Sequence, residues 1–263
     1  MRWILALVVT AAGVALAFAG LVLLRDDGSE ELLPDLDQAV PAELAIVQEG
    51  DTYRLTFASA VDNVGRGALL VVGERPDRAE RVMEVHQLVR SSDGSTRERL
   101  ADGEIRYVRF EGHAHWHLLD FERYELRRAE DGELVQPDAK TGFCLGDRYE
   151  TSTDVQLENE PAEAVWTEEC GRRRPGLLTV SEGISPGYGD DYEPALESQF
   201  LDVTSVPPGR YLLVHRANPD RTLEESDYAN NASSVLIQLR RTTGVIPAVR
   251  VLARCPDSET CAA

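Results

Sequence analysis

Three of the chain's five histidines stand at positions 113, 115 and 117, in the run Gly112-His113-Ala114-His115-Trp116-His117-Leu118. A β-strand sends alternate side chains to opposite faces, so this i, i+2, i+4 spacing puts all three imidazoles in one row. On a helix the same spacing would fan them about 200° around the axis. The preceding Ile105-Arg106-Tyr107-Val108-Arg109-Phe110 is β-branched and aromatic with no helix-start signal, which favours the strand. Three imidazoles on one face form half of a transition-metal site, suited to copper, zinc, iron or nickel and unsuited to calcium or magnesium. They also leave coordination positions open, as a catalytic metal requires. The plainer alternative is a solvated row of histidines. Trp116 alternates out of the row and is expected to pack on the opposite face.

The elements around this run read as strands. Tyr53–Phe57, Ala68–Val72, Met83–Val89, Tyr211–His215 and Ser234–Leu239 are short alternating segments. Turn signals such as Asp62-Asn63-Val64-Gly65, Ser92-Asp93-Gly94, Asp131-Gly132 and Pro207-Pro208-Gly209 separate them. No long helical period and no internal repeat occur. The expected fold is all-β, a β-sandwich with long functional loops. Residues 137 to 200, rich in Gly, Pro, Glu and Asp, read as a long loop, and loops of that length in compact domains are usually functional. His86 and His215 sit singly in apolar segments and read as satisfied core or edge histidines.

The chain has 263 residues, 43% of them hydrophobic, enough for a sizeable core in one domain. A formal net charge of −19 disfavours nucleic acid or an anionic membrane as a partner of the folded body and is compatible with cationic ones, including protonated amines. Residues 1–24 carry one early Arg and then an apolar run from Trp3 to Leu24, long enough to span a bilayer. Ala17-Phe18-Ala19 resembles a cleavage site, but the apolar run continues past it, so an uncleaved signal-anchor helix is favoured over a cleaved signal peptide. Either way the rest of the chain is expected to be exported, behind an acidic linker at 25–33. Four cysteines fit that compartment. Without CxxC spacing they read as two disulfides rather than a zinc cluster. Three connectivities are open, and the sequential one, Cys144 with Cys170 and Cys255 with Cys261, is expected.

Several blocks, in order, resemble the lysyl oxidase family of copper-dependent amine oxidases. These are GHAHWHLLDFERYEL, KTGFCL, ISPGYGDDYEPALESQFLDVT and PPGRYLLVHRANPDRTLEESDYANN, and the likeness runs from about Leu33 to Leu239. The resemblance implies that His113, His115 and His117 bind copper, and that Lys140 and Tyr192 become cross-linked into lysine tyrosylquinone. It implies oxidative deamination of a primary amine, such as a peptidyl lysine, a polyamine or a small amine, to an aldehyde with release of ammonia and hydrogen peroxide. Asp190 and Asp191, beside Tyr192, are candidates for the base. The chain departs from animal members in lacking a cysteine before Tyr192 and in carrying Phe110-Glu111-Gly112 and Ala114 around the histidines.

Glu225-Ser226-Asp227-Tyr228-Ala229-Asn230-Asn231 offers hard oxygen ligands without nitrogen or sulfur, a set that suits calcium or, alternatively, an Asx-rich turn. The resemblance implies a calcium site of Glu225, Asp227, Asn230 and Asn231 completed by Asp35. The implied organisation is a catalytic sandwich at 34–240 and a C-terminal tail at 241–263. Two competing readings are an exported immunoglobulin-like adhesion sandwich that binds metal without catalysis, and a three-histidine zinc or iron enzyme without a quinone.

Overall fold

The computed structural model describes residues 28–110, 113–138, 140, 142–151, 156–194, 196 and 198–261, with Phe110 and His113 described in their backbone alone. In chain order the strands are β1 (Glu31–Leu32), β2 (Leu36–Gln38), β3 (Ala42–Glu49), β4 (Thr52–Asn63), β5 (Leu69–Glu74) and β6 (Val82–Ser91). There follow β7 (Thr96–Phe110), β8 (His113–Leu119), β9 (Glu122–Arg128), β10 (Leu134–Pro137), β11 (Gly142–Phe143) and β12 (Tyr149–Glu150). The last are β13 (Thr179–Ile184), β14 (Tyr188–Tyr192), β15 (Phe200–Asp202), β16 (Gly209–Ala217), β17 (Ala232–Thr242) and β18 (Val245–Cys255). The all-β expectation holds: among the described residues there is no helix, and so none long and apolar enough to cross a membrane. The expected anchor helix at 1–24 lies outside the described residues.

The strands form three sheets around one core. The first runs β11-β8-β7-β6-β5-β13 with β1 on β6, the second β10-β9-β16-β17-β18, and the third is built on β4. β4 is long enough to take two partners on each edge: β2 and β3 on one, β14 and β15 on the other. Its inward positions alternate, so Leu55, Phe57 and Val61 are fully buried. They join Met83 and Ile105 of the first sheet and Leu126, Leu213 and Ile237 of the second in one apolar cluster. At roughly 25 cal/mol per Å² of apolar surface removed from water, that cluster is the main term holding the sheets together.

Two expectations are corrected. The stretch from 137 to 200 is not one loop but contributes five strands, β11 to β15 and part of β10, to all three sheets. Their inward positions include Glu182 and Asp190, both buried, which breaks the apolar alternation that marks a strand in sequence. The C-terminal stretch is not a tail either. β18 pairs antiparallel with β17 and closes the edge of the second sheet.

Candidate metal and quinone site

β8 runs antiparallel to β7, with Val108 opposite His115 and Arg106 opposite His117. Toward its other edge lie β11, which pairs at Leu118–Leu119, and the segment after Cys170. In that segment Cys170 O accepts the Trp116 N–H at 2.9 Å and Ala114 O accepts the Arg173 N–H at 2.7 Å. The Cys144–Cys170 disulfide ties this segment to the end of β11, and Cys255–Cys261 is likewise formed, so the sequential pairing is correct. Trp116 packs away from the histidine row as expected. Its ring lies under the Arg75 guanidinium and edge-on to Tyr107, and its Nε1–H reaches Arg174 O at 3.2 Å.

On the other face His115 and His117 converge, with their Nε2 atoms 2.7 Å apart. Two imidazole lone pairs that close are satisfied by one shared proton or one shared cation, and nitrogen donors suit copper. The donor set therefore fits a copper ion bound between them. Among the described residues no three His, Cys, Asp or Glu side chains form a complete metal cage, and the side chain of His113 lies outside them. β11 passes close beside His117. A Cβ on Gly142 would lie 2.7 Å from His117 Nδ1, so only glycine lets that strand come so close.

This approach brings Lys140 to Tyr192. Lys140 is buried, and its Nζ lies 4.7 Å from the Tyr192 ring centroid and 5.2 Å from that of Phe143. Tyr192, at the end of β14, stands edge-on to Phe143 and donates its phenol O–H to Asp190 Oδ2 at 2.6 Å. Burial pushes the Asp190 carboxyl up to about 7, against the opposing pull of the Tyr192 hydrogen bond and of Arg148, whose Nε lies 3.4 Å from Oδ1. Burial, with the Asp190 and Glu122 carboxylates nearby, pushes the Tyr192 phenol far above its ordinary value. His115, His117, Lys140, Asp190 and Tyr192 line one open cavity of about 370 Å³, with Asp191, Glu169 and Arg172 among its other lining residues.

Sequence reasoning missed three residues of this neighbourhood, Arg148, Glu122 and Glu182. For Glu122 and Glu182 the only available signal was a carboxylate in line with apolar neighbours two residues away, Glu122 with Tyr124 and Glu182 with Val180 and Ile184, and for Arg148 there was none. His86 is half-exposed and pairs with Glu98 at 2.7 Å. His215 is fully buried, and burial holds its imidazole well below the ordinary value and so neutral.

The candidate calcium residues meet where the described chain begins and nears its end. Asn230 Nδ2 donates to Asp35 Oδ1 at 2.8 Å, and Asn231 Nδ2 and Asn218 Nδ2 donate to Glu225 Oε1 at 2.8 and 2.6 Å. Glu225 Oε2 accepts the Leu36 N–H at 2.8 Å, and burial raises this carboxyl to about 7. The Oδ1 atoms of Asn230 and Asn231 are buried without partners. Turning either amide over would offer its oxygen beside a carboxylate, which fits a hard cation. Asp227 instead points its Oδ1 at the Tyr228 and Ala229 N–H groups.

Comparison with known proteins decides the family. The lysyl oxidase family profile matches residues 79–248, well over half of the chain. The chain belongs to the lysyl oxidase family. Similar proteins include the protein-lysine 6-oxidase of Sus scrofa, 34% identical over 120 residues that cover 45% of this chain and 41% of that protein. The human protein-lysine 6-oxidase is also 34% identical over 120 residues, covering 25% of its length. Lysyl oxidase homolog 2 of Gallus gallus is 32% identical over 141 residues, 53% of this chain and 16% of that protein. The matches thus span less than half the length of these family members.

Proposed function

We propose that this chain is a copper- and quinone-dependent amine oxidase that converts a primary amine, with dioxygen and water, to an aldehyde, ammonia and hydrogen peroxide. Peptidyl lysine is the favoured substrate, since relatives bear the name protein-lysine 6-oxidase. The observation that carries the reading is the approach of Lys140 Nζ to the Tyr192 ring in the same cavity as two converging imidazoles.

In this reading His113, His115 and His117 hold the copper, and Lys140 and Tyr192 supply the lysine tyrosylquinone. Copper with dioxygen would supply the oxidation of the Tyr192 ring, and the finished quinone would supply an electrophile and electron sink for the substrate amine. The chain's own groups prepare for this. Asp190 takes the hydrogen bond of the Tyr192 phenol and, with a carboxyl titrating near neutrality, can accept a proton beside the ring at working pH. Arg148 orients that carboxyl from its other oxygen. Phe143, edge-on to the Tyr192 ring and beneath Lys140 Nζ, contacts both and keeps the two in register.

Calcium belongs to the proposal as a clasp held by Asp35, Glu225, Asn230 and Asn231, which Asp227 would join by swinging in from the turn N–H groups it now accepts. So do an exported, membrane-anchored location through residues 1–24, an acidic linker at 25–33 and a catalytic body beginning at 34. The decisive experiment is a visible spectrum of the copper-loaded, aerated protein before and after phenylhydrazine, with Tyr192→Phe as control. A hydrazone band in the parent alone supports the quinone. No band despite bound copper removes it and leaves the three-histidine zinc or iron reading to be pursued.

A further inference from the structure

The outer face of the second sheet is graded along its strands. At one end Arg127 and Arg216 are paired with Glu125 and Glu259. A small apolar cluster of Leu212, Val214 and Leu236 follows. At the other end the register places Arg210 and Arg250 on either side of Gln238, in one cross-strand row over β16, β17 and β18. Residues directly opposite in an antiparallel pair share a face, and Arg240, two positions on from Gln238, shares it too. With strands about 4.8 Å apart, Arg210 and Arg250 stand about 10 Å from each other across Gln238. Arg240 is diagonal to both, at about 7–8 Å.

The formal net charge is −19, yet among the described residues none of these three arginines is ion-paired. Carboxylates on neighbouring elements are engaged elsewhere: Asp131 and Glu133 by Arg128, Glu125 and Glu259 by Arg216. Position 238 lies opposite both Arg210 and Arg250, so a glutamate there would neutralise them. It holds instead a neutral amide, whose Nε2 donates to Gly209 O and Leu239 O. Protection of a sheet edge does not account for the charges. Guard residues belong on edge strands, whereas Arg210 and Arg240 stand on β16 and β17, both interior to the sheet. Like charges crowded on one face repel unless an anion joins them.

We propose that this three-arginine face binds a phosphate-bearing polyanion. Guanidinium groups stay charged and meet phosphate oxygens two at a time, which a point charge cannot do. Arg240 and Arg250 are exposed on an open sheet surface with no walls to enclose a lone small anion. Cations spread over about 10 Å of such a surface suit successive groups on one polymer chain. The net charge does not oppose this at close range, because physiological salt screens carboxylates lying beyond about 8 Å. The inference is independent of the copper and quinone reading.

The test is a fluorescence titration of dye-labelled short-chain polyphosphate with the full chain in uncharged detergent. Three phosphate contacts predict a slope of about −2 in log affinity against log salt, hence about 20-fold weaker binding at about 200 mM than at about 50 mM. Arg240→Gln with Arg250→Gln alters exposed side chains only, and is expected to weaken binding about tenfold and bring the slope to about −0.7. Gln238→Glu keeps all three arginines but hands them a carboxylate, and is expected to weaken binding to a similar degree. Arg81→Gln with Arg90→Gln removes the same charge from exposed positions of the first sheet and is expected to leave the affinity unchanged. An equal loss in that control overturns the inference, because binding would then follow net charge rather than this face. So does a parent protein that leaves polyphosphate unbound at the lower salt, or one that prefers a sulfated polysaccharide to polyphosphate.

Discussion

Two polar sites in this protein are built alike and finished differently. The histidine–lysine–tyrosine cavity draws on β8, the approach to β11 and the end of β14. The acidic clasp draws on Asp35 near the start of the body and on Glu225, Asn230 and Asn231 near its end. Both sit at seams between sheets, where strand ends present side chains that no ladder consumes. The cavity keeps about 370 Å³ of open volume, whereas the clasp's carboxylates are filled by amide donors. Nitrogen donors beside open volume suit chemistry. Oxygen donors without that volume suit a stapling ion.

Breaking the first site alone gives the largest effect. His115→Ala with His117→Ala is expected to abolish copper binding by metal analysis and to reduce peroxide release to background, while leaving any calcium-dependent rise in Tm intact. Loss of both responses together would mean that the two sites are not independent.

A smaller effect follows from the frame that carries the cavity. Cys144→Ser with Cys170→Ser opens a link between residues 26 apart, and the chain-entropy relation puts its worth at about 3.5 kcal/mol, against about 2 kcal/mol for the 6-residue link at Cys255–Cys261. Urea denaturation of the two double variants measures the difference. The Cys144–Cys170 variant alone is also expected to bind copper more weakly, because that bond joins the end of β11 to the segment bordering β8. Equal copper affinity in both variants would sever that connection.

The clasp can be tested by itself. Calcium at 100-fold its dissociation constant is expected to stabilise the protein by about 2.7 kcal/mol, or about 5–10 °C in Tm for a domain of this size. Glu225→Gln is expected to remove most of this response, and a flat calcium titration of the parent protein would eliminate the clasp as a cation site.

A last effect is that of pH on the metal-free protein. Asp37 and Asp138 are raised to about 6, and Glu122, Asp190 and Glu225 to about 7, in each case first by burial. The folded state then holds more protons than the unfolded one between about pH 4 and 7. Stability is therefore highest on the acid side of this window and falls as pH rises through the folded values. His215, held neutral by burial, acts oppositely below its ordinary value of 6.5 but is one group against five. Tm measured from pH 5 to 8 is expected to decline, and a steady increase would contradict these burial effects.

That His115 and His117 share a face was legible because period two is a property of the strand itself, and the apolar residues ahead of them fixed the element. The meeting of Lys140 with Tyr192 was not legible from spacing, since they lie far apart on different sheets, and only the family resemblance suggested it. Glu122 and Glu182 stayed hidden because a charged residue in a strand reads as outward-facing, whereas these occupy inward, buried positions, and Arg148 stayed hidden because it lies outside any strand and meets Asp190 only through the fold. β18 was overlooked because Val249, Val251 and Ala253 alternate with the exposed Arg250, Leu252 and Arg254 yet remain only partly covered, the pattern of an edge strand rather than a core one.

Lys140 leads into β11 of the first sheet, while Tyr192 closes β14 on the third. A bond between them would be more than a cofactor. It would be a rivet through two layers, closing a loop of about fifty residues that already contains the Cys144–Cys170 bridge. Folding must finish before the rivet can be set, and once set it outlasts unfolding. A matured molecule would carry in its denatured chain a covalent record of having once been correctly assembled.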